Sequence, residues 1–128
     1  MKTIALLALA GGAGTICRYA LSHLVHDLCG QGFPWGTFTV NLIGCLVIGF
    51  LAVFLGEKIS IGPQARLALF VGFLGAFTTF SSFMLDVVRQ AENSVLHHAL
   101  FNLLLQNGLG ITAVVLGMAL GRVALKAC

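Results

Sequence analysis

Acid is nearly missing from this chain. Only four of its 128 residues are Asp or Glu, and Asp27, Glu57, Asp86 and Glu92 all fall at the ends of apolar runs or between them. No carboxylate is expected deep in an apolar segment, where an acid would serve proton exchange. Charge of either sign amounts to 9% of residues, far under the roughly 25% of soluble domains. Cysteine is sparse too. Cys17 and Cys45 sit within apolar runs, Cys29 in a connector and Cys128 at the terminus, with no CxxC pair, so neither a disulfide framework nor a cysteine metal site is indicated. Nothing resembles a P-loop, a catalytic triad or a metal-binding helix motif, and an enzyme is not expected. Basic residues are scattered near helix ends, which removes a nucleic-acid footprint despite a net charge of +3.

What the chain has in abundance is apolar sequence, with 59% hydrophobic residues and a mean hydropathy of +1.02. This composition indicates an integral membrane protein. A helix needs roughly 20 apolar residues to cross the hydrocarbon, and four such runs are present, about Ile4 to His26, Gly36 to Gly56, Leu67 to Val88 and Ala99 to Ala124. The connectors Asp27 to Trp35, Glu57 to Arg66 and Arg89 to His98 are too short for a soluble domain. The chain reads as one all-α membrane domain over residues 1–128, with any chemistry between helices. Lys2 ahead of an apolar stretch ending in Ala8, Leu9 and Ala10 imitates a secretory signal, but the run continues to Tyr19 without a polar start and reads as a first span. If four helices alternate, Lys2, Lys58, Arg66, Arg122 and Lys126 share the side of the N-terminus and only Arg89 lies opposite. The positive-inside rule then puts both termini in the cytoplasm.

The stretch Gly72 to Phe83, GFLGAFTTFSSF, packs Thr78, Thr79, Ser81 and Ser82 between Phe77, Phe80 and Phe83 midway along the third run. Hydrocarbon tolerates such hydroxyls only where they meet protein partners or line a polar path. Thr78 and Thr79 also predict a break in the helix, because Ser and Thr compete with the backbone for its hydrogen bonds. Carbonyls freed at a symmetric subunit contact could coordinate a cation. Phe80 and Phe83, three apart, point to roughly one side, and Phe73 and Phe77 extend the stripe. Such a stripe ordinarily packs or meets lipid, but a ring has a positive edge, and ring edges beside hydroxyls could line an anion path.

Arg18 is the one cation well inside a span, with no acid near it in the first helix. A buried cation without a buried acid suits an anion pathway; the alternative is a snorkelling anchor. In the second run Thr37 and Asn41 share a helical face. Asn41 either makes an interhelical hydrogen bond or donates to a passing anion. The fourth run carries Gln106, Asn107 and Thr112, with small-residue pairs at Gly108 and Thr112 and at Gly117 and Gly121, and the first repeats the spacing at Ala10 and Gly14, as close helix contacts require. His23, His26, His97 and His98 fall at helix ends and read as interfacial.

Three motifs together, GGAGTICRY at Gly11 to Tyr19, FPWGTFTVNLIG at Phe33 to Gly44 and GFLGAFTTFSSF, resemble the Fluc (CrcB) family of fluoride-specific ion channels of microbial membranes. The resemblance implies four transmembrane helices per subunit with a broken third helix, in an antiparallel, dual-topology homodimer with two pores. It implies passive fluoride efflux across the cell (inner) membrane, and so fluoride resistance. By residue, it implies ring edges of Phe80 and Phe83 facing the ion, Asn41 and Ser81 beside them, and Arg18 at a vestibule. Thr37, Thr79 and Gln106 complete the expected fluoride pathway. A structural sodium ion at the dimer centre is implied on the backbone carbonyls of Gly75 and Thr78. Ser82 departs from the usual TTFSTF, keeping the hydroxyl but losing a methyl, and Gln106 stands where relatives often carry Tyr or His. The bias of five basic residues against one sits poorly with a subunit that inserts both ways and leaves pairing with an oppositely inserted paralogue as the alternative. Two other readings compete, a small four-helix proton-coupled multidrug exporter and a non-transporting assembly subunit.

Overall fold

The computed structural model describes residues 1–30, 32–57, 61–93 and 96–127, so Lys58 and Cys128 lie outside the described residues. Helices α1 (Lys2–Cys29) and α2 (Trp35–Glu57) come first. The third span is divided into α3 (Pro63–Leu67), a π-helix (Ala68–Leu74), α4 (Gly75–Phe77) and α5 (Phe80–Glu92), and α6 (Leu96–Ala127) follows. Four helical stretches are long and apolar enough to cross a membrane, the third being Pro63–Glu92. Each extends beyond its apolar run, because hydropathy marks only the hydrocarbon-embedded part while backbone hydrogen bonding continues into the interface. α1 is continuous across Ala10 and stops at Gly30, whose φ of 77° is a left-handed value suited to glycine.

Close backbone contact holds the spans together. A Cβ on Gly117 would overlap the Leu46 carbonyl, one on Gly49 the Val114 carbonyl, and one on Gly121 would lie 2.8 Å from the Phe50 carbonyl. These glycines let α2 and α6 meet backbone to backbone, where van der Waals packing drives association in lipid. α1 packs on the π-helix in the same way, with Gly14 against the Phe73 carbonyl and Ala10 against Gly72. The spacings at Ala10 and Gly14 and at Gly117 and Gly121 therefore do mark contacts. The one at Gly108 and Thr112 does not: Gly108 faces open space, and the Thr112 hydroxyl donates back to the Gly108 carbonyl at 2.8 Å.

The break falls at the expected threonines. Thr78 (φ −84°, ψ 160°) and Thr79 (φ −151°, ψ 111°) are both extended. They divide the termini between them. Thr78 closes α4, its N–H and its hydroxyl both donating to the Leu74 carbonyl at 3.0 Å. Thr79 opens α5 as N-cap, with Oγ1 accepting from the Ser82 N–H at 3.2 Å and donating to Ser82 Oγ at 2.9 Å. The break also cuts the phenylalanine stripe. Phe73 and Phe77 stack together at 6.1 Å, and neither lines a cavity with Phe80 and Phe83. Asp86, expected at a span end, lies two turns inside α5, which runs on to Glu92.

Candidate functional site

Interrupting a helix in mid-membrane strands backbone groups that lipid cannot satisfy, and Asn41 serves them from α2. Its Oδ1 accepts the Thr79 N–H at 2.8 Å and its Nδ2 donates to the Thr79 carbonyl at 3.1 Å. One side-chain amide thus pairs with both backbone groups of Thr79, as a neighbouring strand would. Gly44, on the same face of α2, permits the approach, since a Cβ there would overlap Thr78 Cγ2. Asn41 Nδ2 also donates to Gln106 Oε1 at 3.2 Å. Both of its N–H groups are engaged between helices.

The chain of amides continues outward. Gln106 Nε2 donates to Asn102 Oδ1 at 3.0 Å, and Asn102 Nδ2 donates to Gln90 Oε1 at 3.0 Å. Asn102 is fully buried. Four carboxamides from α2, α5 and α6 therefore form one ladder that starts at the break. Sequence reasoning missed Asn102 and Gln90. Asn102 lies four before Gln106 on the same face of α6, a signal that was available; nothing local connects Gln90 to either.

The same diversions touch two carbonyls. In an unbroken helix the Gly75 carbonyl would accept from the Thr79 N–H and the Thr78 carbonyl from the Ser82 N–H. Here the first donor goes to Asn41 Oδ1 and the second to Thr79 Oγ1. Gly75 and Thr78 are therefore the carbonyls in the break whose helical donors are taken by side chains, and an oxygen-seeking cation fits that donor set.

Two cavities flank this structure. One of about 300 Å³ lies against the break, with Asn41, Gly75, Thr79, Phe80, Phe83 and Gln106 in its lining. The other, about 660 Å³, opens where α1 and α5 end and α2 and α6 begin, with Tyr19, Ser22, Thr37, Asp86, Gln90 and His98 in its wall. Phe80 and Phe83 meet edge-on at 6.0 Å and 71°. Their surroundings differ, however: Phe83 is 4% exposed and Phe80 70%. Ser81 and Ser82 are exposed beside them.

The family model described as CrcB-like protein, Camphor Resistance (CrcB), matches residues 5–118. The chain belongs to the CrcB family. It is similar to a protein named Fluoride-specific ion channel FluC from Nitrosococcus oceani, 42% identical over 122 residues, covering 95% of this chain and 98% of the relative. A FluC from Solidesulfovibrio magneticus is 43% identical with the same coverage. One from Desulforapulum autotrophicum is 40% identical over 116 residues, 91% of this chain and 93% of that one. With its four spans, this CrcB-family chain is a multi-pass protein of the cell membrane.

The sequence candidates divide between the two cavities of this CrcB-family subunit. Asn41, Thr79, Phe80, Phe83 and Gln106 meet at the inner one, and Gly75 and Thr78 line it too. Ser81 is adjacent, its Oγ 3.5 Å from Thr79 Oγ1. Thr37 lines the outer cavity, one turn from Asn41. Arg18 is half-buried one turn before Ser22 and lines neither cavity. Asp86 was unexpected at the outer cavity. Its Oδ2 is buried and has no hydrogen-bond partner among the described residues.

Proposed function

We propose that this chain is the subunit of a fluoride-specific channel that lets the ion leave the cytoplasm passively and so confers fluoride resistance. The observation that carries the reading is the polar, aromatic-rimmed break in a membrane span of a chain 42% identical to a protein named FluC. A small anion crossing lipid must exchange its water for donors held in place, yet be bound weakly enough to leave. Phe80 and Phe83 would offer ring edges, Ser81 and Thr79 hydroxyls, and Asn41 and Gln106 a fixed amide scaffold. Thr37 would continue the path outward, and Arg18 would add positive charge near the vestibule. Transport of this kind makes and breaks no covalent bond, so no enzymatic role is assigned.

A second copy completes the reading. Phe80 is 70% exposed, and Ser81 and Ser82 are exposed beside it in mid-span, a costly face to leave to lipid. An antiparallel homodimer would cover that face and bring two breaks together. The carbonyls of Gly75 and Thr78 with their symmetry mates would then hold a sodium ion, which when bound supplies a fixed positive charge at the centre.

The test is efflux from liposomes that contain the purified protein and are loaded with fluoride. Passive fluoride loss without a pH gradient, and no loss of chloride, is the expected outcome. Transport that needs a pH gradient would instead favour the proton-coupled exporter, for which the unpartnered Asp86 carboxylate oxygen is the supporting observation. Silence would favour an assembly subunit.

A further inference from the structure

The amide ladder has a direction, and one backbone group fixes it. The N–H of Thr79 can only donate, so the Asn41 atom facing it at 2.8 Å must be the oxygen. Asn41 then turns Nδ2 to Gln106, which must answer with its oxygen. Gln106 is left with Nε2 for Asn102 Oδ1, and Asn102 with Nδ2 for Gln90 Oε1. Flipping any one of these amides would set donor against donor or acceptor against acceptor. Gln90, last in line, has its oxygen committed. Its Nε2, with two N–H donors, is left for the 660 Å³ cavity that Gln90 lines, and no acceptor for it is found among the described residues.

We infer that the Gln90 amide is an anion-binding group at the mouth of the pathway, oriented by the helix break ~16 Å away along α5. The inference rests on the fluoride reading above and names a group that holds the ion at the end of the path away from the termini. Asp86 and Arg89 face the same cavity from α5, His98 from α6, and Tyr19, His23 and His26 from α1. Asp86 and Arg89, on the same helix as Gln90, place one charge of each sign in the wall beside the neutral amide. A neutral pair of donors then does the selecting, and it releases the ion more readily than a fixed cation would. Asn102 is a positioning residue here, because it sets which end of Gln90 faces the water.

Gln90→Glu separates a donor from a mere bridge. The variant keeps an oxygen to accept from Asn102 but replaces the donor with a carboxylate oxygen. If Gln90 only bridged α5 to α6, the added negative charge would slow efflux only through its field, which salt screens, so at high ionic strength fluoride efflux would match the parent. As an anion donor, its loss should still slow efflux there, at about pH 7.5, by at least ~10-fold, the scale of a hydrogen bond to a charged group. The deficit relative to parent should shrink at about pH 5, nearer the ordinary glutamate range of about 4.3, where the protonated acid again offers an O–H. Protein-free liposomes give the hydrogen fluoride leak to subtract at each pH. Parent-like efflux at pH 7.5 and high ionic strength, or a deficit unchanged at pH 5, overturns the inference. A measurement on the parent protein needs no variant to fold: adding sodium fluoride, but not sodium chloride, should shift the Gln90 side-chain amide resonance. An unmoved resonance overturns the site. A parent that is silent in liposomes overturns the channel reading instead.

Discussion

Phe80 and Phe83 sit three residues apart in one motif, yet one is exposed and the other buried, which gives them different tests. Phe83 is held by packing, so its truncation confounds stability with conduction. Phe80 is largely exposed. Phe80→Ile keeps much of the apolar volume and removes the quadrupole, and we expect a stable protein with strongly reduced fluoride efflux. Phe54, stacked on Phe50 at 5.1 Å and outside both cavities, is the control, and Phe54→Ile should change efflux little. Equal efflux from Phe80→Ile and parent, at equal incorporation, would return Phe80 to a packing role. Asn41→Asp is a different kind of change. It keeps the acceptor for the Thr79 N–H but removes the donor to the Thr79 carbonyl and to Gln106. Leaving such groups unpaired costs about 1–3 kcal/mol, so the variant should lose nearly all flux and also melt at lower temperature in detergent. A variant with parental flux would take Asn41 out of the pathway.

At the scale of elements, the two glycine seams hold the site in place. α2 carries Asn41 and α6 carries Gln106 and Asn102, so the ladder exists only while these helices keep their axial register. Gly117 lies against the Leu46 carbonyl, and Gly117→Val would force the two backbones apart. We expect a loss of thermal stability and of monodisperse protein on size exclusion. Gly108 faces open space, so Gly108→Ala should be neutral or stabilising by up to ~1 kcal/mol through helix propensity. If both variants melted like the parent, close packing of α2 on α6 would not be what holds the ladder. The π-helix Ala68–Leu74 has no counterpart in the expected regular span. It lies where Gly72 and Phe73 meet α1 at Ala10 and Gly14, a contact between two distant segments that no window of one segment reveals.

For the whole molecule, orientation in the membrane is the open quantity with a direct assay. The basic residues favour one insertion, whereas an antiparallel homodimer needs both. If the homodimer forms, a reporter fused after Cys128 should be found on both faces of the membrane. Detection in the cytoplasm alone would point to pairing with an oppositely inserted paralogue.

Length and apolarity are local properties, and they determined the number of spans. The hydroxyl pair Thr78 and Thr79 determined the break, because the competition between side chain and backbone for hydrogen bonds is also local. The three motifs determined the family. The sequence leaves Asn41 between an interhelical bond and an anion donor, and the interhelical bond is made to Thr79, 38 residues away, beyond any local pattern. Asn102 and Gln90 stayed hidden for the same reason. Pairing across helices depends on the rotation and axial register of each helix against its neighbours, quantities that a one-dimensional pattern does not carry and that only packing at Gly44, Gly49 and Gly117 fixes.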